Sequence, residues 1–226
     1  TNLEILNIGY GSIGRRHAKI LRKNKKIDKI FVLTSQKIKD LPRIKSYSDI
    51  KKINPTFFII SSRTTSHYKD LKFILKNFRN KKILIEKPVF EKYKKLNNLY
   101  NNNIFIGYNL RLHPVIKYAK AYLEKKNVFH VGVYCHSYLP EWRNKINYKN
   151  SNSAKKKYGG GVLLELSHEL DYLQVLFKDI RKINFANVDK FSNLVTDVED
   201  SAIITGETER VNFVVDLNFF SRNKQR

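Results

Sequence analysis

"LNIGYGSIGRRHAKIL", residues 6–21, places three of the chain's nine glycines within six positions, between an apolar run and a helical pattern. Gly9, Gly11 and Gly14 form G-x-G-x-x-G, and a phosphate-binding turn wants glycine at each. The first permits the tight turn, the second lets a pyrophosphate approach the backbone, and the third lets helix and strand close on one another. The helix start at Ser12 and Ile13 then offers unpaired N–H groups to the anion. A tight turn without a ligand would also favour glycine, but the setting is specific: the buried-strand pattern "LEILNI" (3–8) leads in and a helix to about Asn24 leads out.

Outward from that loop the chain alternates. Strand patterns at "KIFVLT" (29–34), "TFFIIS" (56–61), "KKILIEKP" and "NIFIGYN" are nearly unbroken apolar runs. Between them lie a short helix ending before Pro55 and a helix with Leu71, Ile74, Leu75 and Phe78 at helical spacing. "EKYKKLNNLYNN" reads as a further helix. Apolar strands alternating with helices predict a parallel sheet covered on both faces.

The rhythm changes after residue 112. A helix over "HPVIKYAKAYLEKK" precedes the alternating strand "VFHVGVYCHSYL", a polar loop through Tyr158 and a helix led by Gly159–Gly161. "DSAIITGETERVNFVVDLNFF" reads as a hairpin turning at "GETE". The predicted fold class is α/β, with an N-terminal Rossmann dinucleotide-binding domain over 1–112. An α+β domain with a mostly antiparallel sheet follows over 113–226, for substrate and oligomer contacts. The chain stops at "FFSRNKQR" just after a strand, so a further C-terminal segment is expected.

Composition bounds the function. A 42% hydrophobic, 12% aromatic content is globular, and no apolar run reaches the ~20 residues of a membrane span. The single cysteine, Cys135, suits a reducing cytoplasm and reads as packing on its strand. The formal charge of +24 raises nucleic acid as a partner, but the lysines are scattered without an aromatic-interleaved stripe. Neither nucleic acid nor membrane is the expected partner, and no metal is expected.

The acidic residue that would grip an adenosine ribose about 20 positions on is absent; the second strand ends "VLTSQK". Thr34 and Ser35, with Gln36 and Lys37, suit a 2′-phosphate, which tilts the expected cofactor to NADP over NAD. "LIEKP" sets Glu86 and Lys87 at a strand's carboxyl end, where ligands of open α/β sheets bind. In "GGGVLLELSHELDYLQVLF", Glu165, His168 and Asp171 at i, i+3, i+6 fall near one face of the expected helix, a candidate proton-handling cluster.

In this order, the glycine loop, "EKP", "GYNLRLHP" and "GGGVLLELSHELD" resemble the glucose–fructose oxidoreductase and inositol dehydrogenase family (Gfo/Idh/MocA) over essentially the whole chain. The resemblance implies hydride transfer between a nicotinamide and a hydroxyl or keto carbon of a sugar or sugar derivative. The wording "EWR…SAKKKYGGGVLLELSHELDYL" looks most like members of surface-polysaccharide or nucleotide-sugar biosynthesis. Lys87 matches the lysine that contacts the reacting hydroxyl, and His168 the general acid or base. Leu164 stands where many members carry aspartate, leaving Glu165 as a substitute. His67 matches a position near the cofactor, where Ser61, Ser62, Glu86 and Lys87 are also expected. Arg63 stands where proline is common. Asn109 and Arg111, with Lys87 and His168, are expected to line the substrate. A homo-oligomer, dimer or tetramer, through the C-terminal sheet is implied. The rival reading is a non-catalytic dinucleotide-binding sensor.

Overall fold

The computed structural model describes residues 3–143 and 146–226. The chain divides into two compact units, Thr1–Gly107 and Tyr108–Arg226. The division falls ahead of the expected 112/113, because the 3₁₀ turn Asn109–Leu112 packs on the second unit's own helices.

The first unit runs β1 (Leu3–Ile8), α1 (Ser12–Leu21), β2 (Ile27–Leu33), β3 (Arg43–Ile44), α2 (Tyr47–Ile53), β4 (Phe57–Ile60), α3 (Thr64–Asn77), β5 (Lys82–Ile85) and β6 (Asn103–Ile106). Its six strands pair in the order β3-β2-β1-β4-β5-β6, and every pair is parallel. The order reverses between β1 and β4, and in open α/β sheets the ligand crevice opens at the carboxyl ends flanking that reversal. The strands are apolar because helices cover them: Leu6, Ile8, Phe58, Ile60, Ile83 and Ile85 bury against Ile50 of α2 and Leu71, Ile74 and Leu75 of α3. Each such side chain contributes roughly 1.5–3 kcal/mol by leaving water.

The helix expected at "EKYKKLNNLYNN" does not form; residues 91–102 are irregular. Its asparagines bond the backbone instead, which competes with helix. Asn98 Oδ1 accepts from the Tyr100 N–H at 2.6 Å, and buried Asn102 accepts from Lys81 N–H and donates to the Phe78 and Leu99 carbonyls. Tyr100 and Asn101 adopt left-handed φ of 51° and 59°, incompatible with a continuing helix.

The second unit contains α4 (Pro114–Leu123), β7 (His130–Tyr138), α5 (Val162–Glu165), α6 (His168–Phe177), β8 (Ile180–Asp189), β9 (Ser201–Thr208), β10 (Asn212–Asn218) and β11 (Phe220–Gln225). The sheet order is β11-β7-β10-β9-β8, antiparallel except for the β10–β7 pair. Val133, Cys135, Ile204, Phe213, Val215 and Leu217 form its buried face, against Val162, Leu166, Leu173 and Phe177 of the helices.

The expected β9–β10 hairpin forms, but it turns at Glu209–Val211, not at "GETE". Thr208 supplies the turn chemistry, its Oγ1 accepting from the Arg210 and Val211 N–H groups at 3.0 and 3.1 Å. Gly206 lies inside β9, where a Cβ would sit 2.2 Å from the Lys182 carbonyl oxygen and 2.9 Å from the Phe213 ring. Strands β3, β8 and β11 were not expected from the sequence. Nearly all of β8 is exposed, so its side chains carry none of the inward–outward contrast that marks a half-buried strand.

Candidate active site

The three glycines of the first loop occupy three different surroundings. At Gly9, with φ of +98°, a Cβ would lie 2.6 Å from Ser62 N and 2.7 Å from the Ser61 carbonyl, so the β1 and β4 ends meet there backbone to backbone. At Gly14 a Cβ would press within 2.6 Å of the Gly9 carbonyl oxygen and 2.8 Å of Ser61 Oγ. At Gly11 it would meet nothing within 4 Å. Gly11 is also the N-cap of α1 and no side chain caps that end. An open space over an uncapped helix N-terminus fits a dinucleotide pyrophosphate, with Gly11, Ser12, Ile13 and Gly14 as its cradle.

A buried network fixes this loop. Asn7 Nδ2 donates to the Gly14 carbonyl at 3.0 Å, and Ser61 Oγ donates to Asn7 Oδ1 at 2.7 Å. Ser62 Oγ donates to the buried Asp70 carboxylate at 2.5 Å, which also accepts from Tyr47 OH. Burial pushes the Asp70 carboxyl above its ordinary range, and the hydroxyls of Ser62 and Tyr47 pull it back. The hydroxyls of both serines are thus spent on protein partners. Asn7 was not anticipated; its signal was a polar residue inside the apolar run "LEILNI".

After β2, the Gln36 N–H donates to Thr34 Oγ1 at 3.1 Å. Two arginines hold the segment: Arg15 Nη2 donates to Gln36 Oε1 at 2.8 Å, and Arg43 Nε to the Thr34 carbonyl at 3.1 Å. Neither arginine was singled out in the sequence, since each reaches this loop from another element. The nearby Asp40 is held by Tyr10 OH at 2.8 Å and Arg22 Nη2 at 2.9 Å.

At the β5 end, Glu86 Oε1 lies 2.6 Å from His17 Nε2, from α1. Lys87 follows, half-buried, and the Lys87–Pro88 peptide is cis. His67 is 1% exposed and faces three carbonyl oxygens: Ser62 at Nε2, and Pro88 and Val89 at Nδ1, each 3.1 Å away. Its ring therefore ties the β4 end to the segment after Lys87.

In the second unit the expected single glycine-led helix is two helices. Gly161, with φ of +117°, is the N-cap of α5, which ends at Glu165; α6 begins at His168 with Ser167 as its N-cap. The break puts Glu165 on one helix and His168 and Asp171 on the next. Glu165 Oε1 accepts from Ser153 Oγ at 2.8 Å, whereas buried Asp171 accepts twice from Arg111 Nε at 2.9 Å and again from Nη2. His168 packs against the Tyr108 ring, centroids 5.5 Å apart and nearly perpendicular. Arg111 is thus fixed by Asp171, and Asn109 is exposed on the same 3₁₀ turn.

Cys135 is buried on β7, and burial with the nearby Glu169 carboxylate pushes its thiol up to about 12. It is a packing residue, protonated and inert at neutral pH. Among the described residues no cluster of His, Cys, Asp or Glu could hold a metal ion. No helix among them is long and apolar enough to cross a membrane.

The doubly wound parallel sheet, the reversal at β1/β4 and the glycine cradle over α1 define a nucleotide-binding Rossmann domain. Residues 3–103 match the model of an oxidoreductase family with an NAD-binding Rossmann fold, GFO_IDH_MocA. The match covers this unit, which is similar to the NAD-binding domain of the Gfo/Idh/MocA oxidoreductases.

Solved structures share the fold across both units. The WlbA dehydrogenase of Chromobacterium violaceum, in complex with NADH and UDP-GlcNAcA, aligns with a TM-score of 0.83 at 14% identity, covering 99% of this chain and 69% of that one. Its Bordetella pertussis counterpart gives 0.82 at 13%, covering 99% and 73%. A D-galactose-1-dehydrogenase of Rhizobium etli gives 0.79 at 15%, covering 99% and 73%. At such identities the likeness is one of fold. Among curated proteins no sequence matches.

Proposed function

We propose that this protein is an NAD(P)-dependent oxidoreductase that moves a hydride between the nicotinamide and a CH–OH or keto carbon of a sugar or sugar derivative. The observation that carries this reading is the open space at Gly11 over the uncapped α1, in a unit similar to a family whose fold binds NAD. Lys87 stands at the carboxyl end of β5 in the same sheet, where such folds present residues to a ligand.

When bound, the nicotinamide accepts or supplies the carbon-bound hydrogen with its electron pair. This chain's residues handle the proton and the orientation. In the oxidative direction the C–H bond breaks as the hydroxyl proton passes to His168 and the C=O bond forms; in reduction His168 returns that proton to the oxygen. Lys87 is the first unit's candidate to hydrogen-bond a substrate oxygen. Arg111, held by Asp171, and Asn109 orient the remaining hydroxyls, and Glu165 is the alternative proton acceptor. Gly9, Ser61, Ser62 and His67 shape the cofactor cleft, Thr34 and Ser35 receive the adenosine ribose, and Glu86 braces the Lys87 backbone.

The tilt to NADP is supported by the missing acidic residue after β2 and by Arg15 and Arg43 beside Thr34, Ser35 and Gln36. A nucleotide sugar is the favoured substrate class: the net +24 complements a diphosphate, and UDP-GlcNAcA is the ligand named with two fold neighbours. A second copy of the chain is the proposed partner of the outer face of the second sheet, which exposes Phe185, Ile203 and Tyr134. The cytoplasm is the proposed compartment.

A screen of nucleotide sugars and free polyols with NAD(H) and NADP(H), following the absorbance of the reduced nicotinamide, tests this function. Substrate-dependent cofactor turnover is expected with at least one sugar; cofactor binding without turnover on any of them would favour a sensor.

A further inference from the structure

Glu86 and His17 belong to different elements and different motifs, yet their side chains meet at 2.6 Å. Glu86 closes β5 directly before Lys87, and its own N–H donates to the Ile60 carbonyl of β4 at 2.9 Å. His17 lies on α1, three residues past Gly14. Both are largely shielded, with 15% and 21% of the side chain exposed, so the contact escapes most of the screening that weakens a surface pair. Gly107, after β6, leaves the space the carboxylate needs: a Cβ there would stand 3.0 Å from Glu86 Oε2.

We infer that His17 and Glu86 are positioning residues that lock the backbone carrying Lys87 to the helix that receives the cofactor pyrophosphate. A bare carboxylate at this strand end would repel an anionic dinucleotide; bonded to His17 it becomes a strut. Seating the dinucleotide on α1 and placing the Lys87 ammonium then become one event, because a shift of α1 moves the end of β5 through this bond. A misplacement of about 1 Å at a reacting group costs as much as about 10²-fold in rate, so such a strut has a kinetic effect without touching substrate. The inference rests on the reading that Lys87 serves the reacting oxygen beside the nicotinamide.

The test maps acetylation of Lys87 by mass spectrometry in the full chain, with and without NADH. Wild type is compared with His17→Ala, His17→Gln and Glu86→Ala. NADH is expected to slow acetylation of Lys87 in wild type. In His17→Ala and Glu86→Ala that protection should be lost even at NADH concentrations that saturate each variant, with a cooperative melt showing that each is folded. His17→Gln, whose amide still donates to Glu86, should keep it. On a turned-over sugar, His17→Ala should lower kcat about 10–100-fold with little change in the KM for cofactor. Should His17→Ala not fold, Glu86→Gln, which keeps the shape and removes the charge, takes its place and should weaken the protection. Protection and kcat equal to wild type in these variants would overturn the strut alone. No protection in wild type would remove Lys87 from the nicotinamide and overturn both the strut and the proposed catalytic role.

Discussion

A methyl group added at Gly9 or Gly14 would collide with backbone, whereas at Gly11 it would enter open space. The three substitutions should therefore separate. Gly11→Val should abolish NADH binding in a fluorescence titration and leave a cooperative melt near wild type. Gly9→Ala and Gly14→Ala should lose about 1–3 kcal/mol of stability through overpacking. At Gly9 the left-handed backbone adds to that cost. Unchanged NADH affinity in Gly11→Val would remove the cradle from the account. At the ribose end, Ser35→Asp should weaken NADP by charge repulsion and move the preference toward NAD; a wild type that already binds NAD far more tightly than NADP would contradict the assignment of Arg15 and Arg43. The glycine loop was legible because its spacing and its strand–loop–helix setting are local, although the Ser61 and Ser62 backbone that Gly9 meets is not. His17, Arg15 and Arg43 were not legible, because their partners lie on other elements, for His17 as far as 69 residues along the chain.

Among the elements, five of the six parallel strands were readable as nearly unbroken apolar runs, whereas the two-residue β3 was too short to show one. The failures had local causes. Asparagine side chains took backbone hydrogen bonds at 91–102, the backbone breaks at Leu166–Ser167 where periodicity showed one helix, and β8 faces water too evenly to alternate. Gly206 was read as a turn glycine and is a packing glycine, so Gly206→Val should cost at least about 1–3 kcal/mol in denaturant unfolding. On α6, Glu169 is fully buried beside Cys135, with Arg226 Nε at 2.8 Å. Burial pushes its carboxyl above the ordinary 4.5, against the pull of Arg226. The folded state thus holds this proton more tightly than the unfolded chain does. The stabilisation from that proton is present at low pH and is lost as pH rises from about 4.5 through the raised folded value. Glu169→Gln should flatten the fall in stability across that window; a slope identical to wild type would show that other groups, such as Asp70 and Glu199, carry it.

For the whole molecule, the parallel domain and the antiparallel one were both foreseeable from the change in rhythm after residue 112, and the order of motifs pointed to the family. The outer sheet face has its own test: Ile203→Asp and Phe185→Asp should shift light-scattering mass toward the monomer while leaving NADH affinity intact, and an unchanged mass would free that face from the proposed role. The central claim is proton-coupled hydride transfer to or from a sugar carbon, and the most direct measurement is single-turnover oxidation or reduction of the bound nicotinamide by the sugar found in the screen, in wild type and His168→Ala. A positioned proton-transfer group is worth about 10²–10⁴ in rate, so His168→Ala should slow that step by this range with NADH affinity nearly unchanged. A His168→Ala protein that transfers hydride at the wild-type rate would contradict the account.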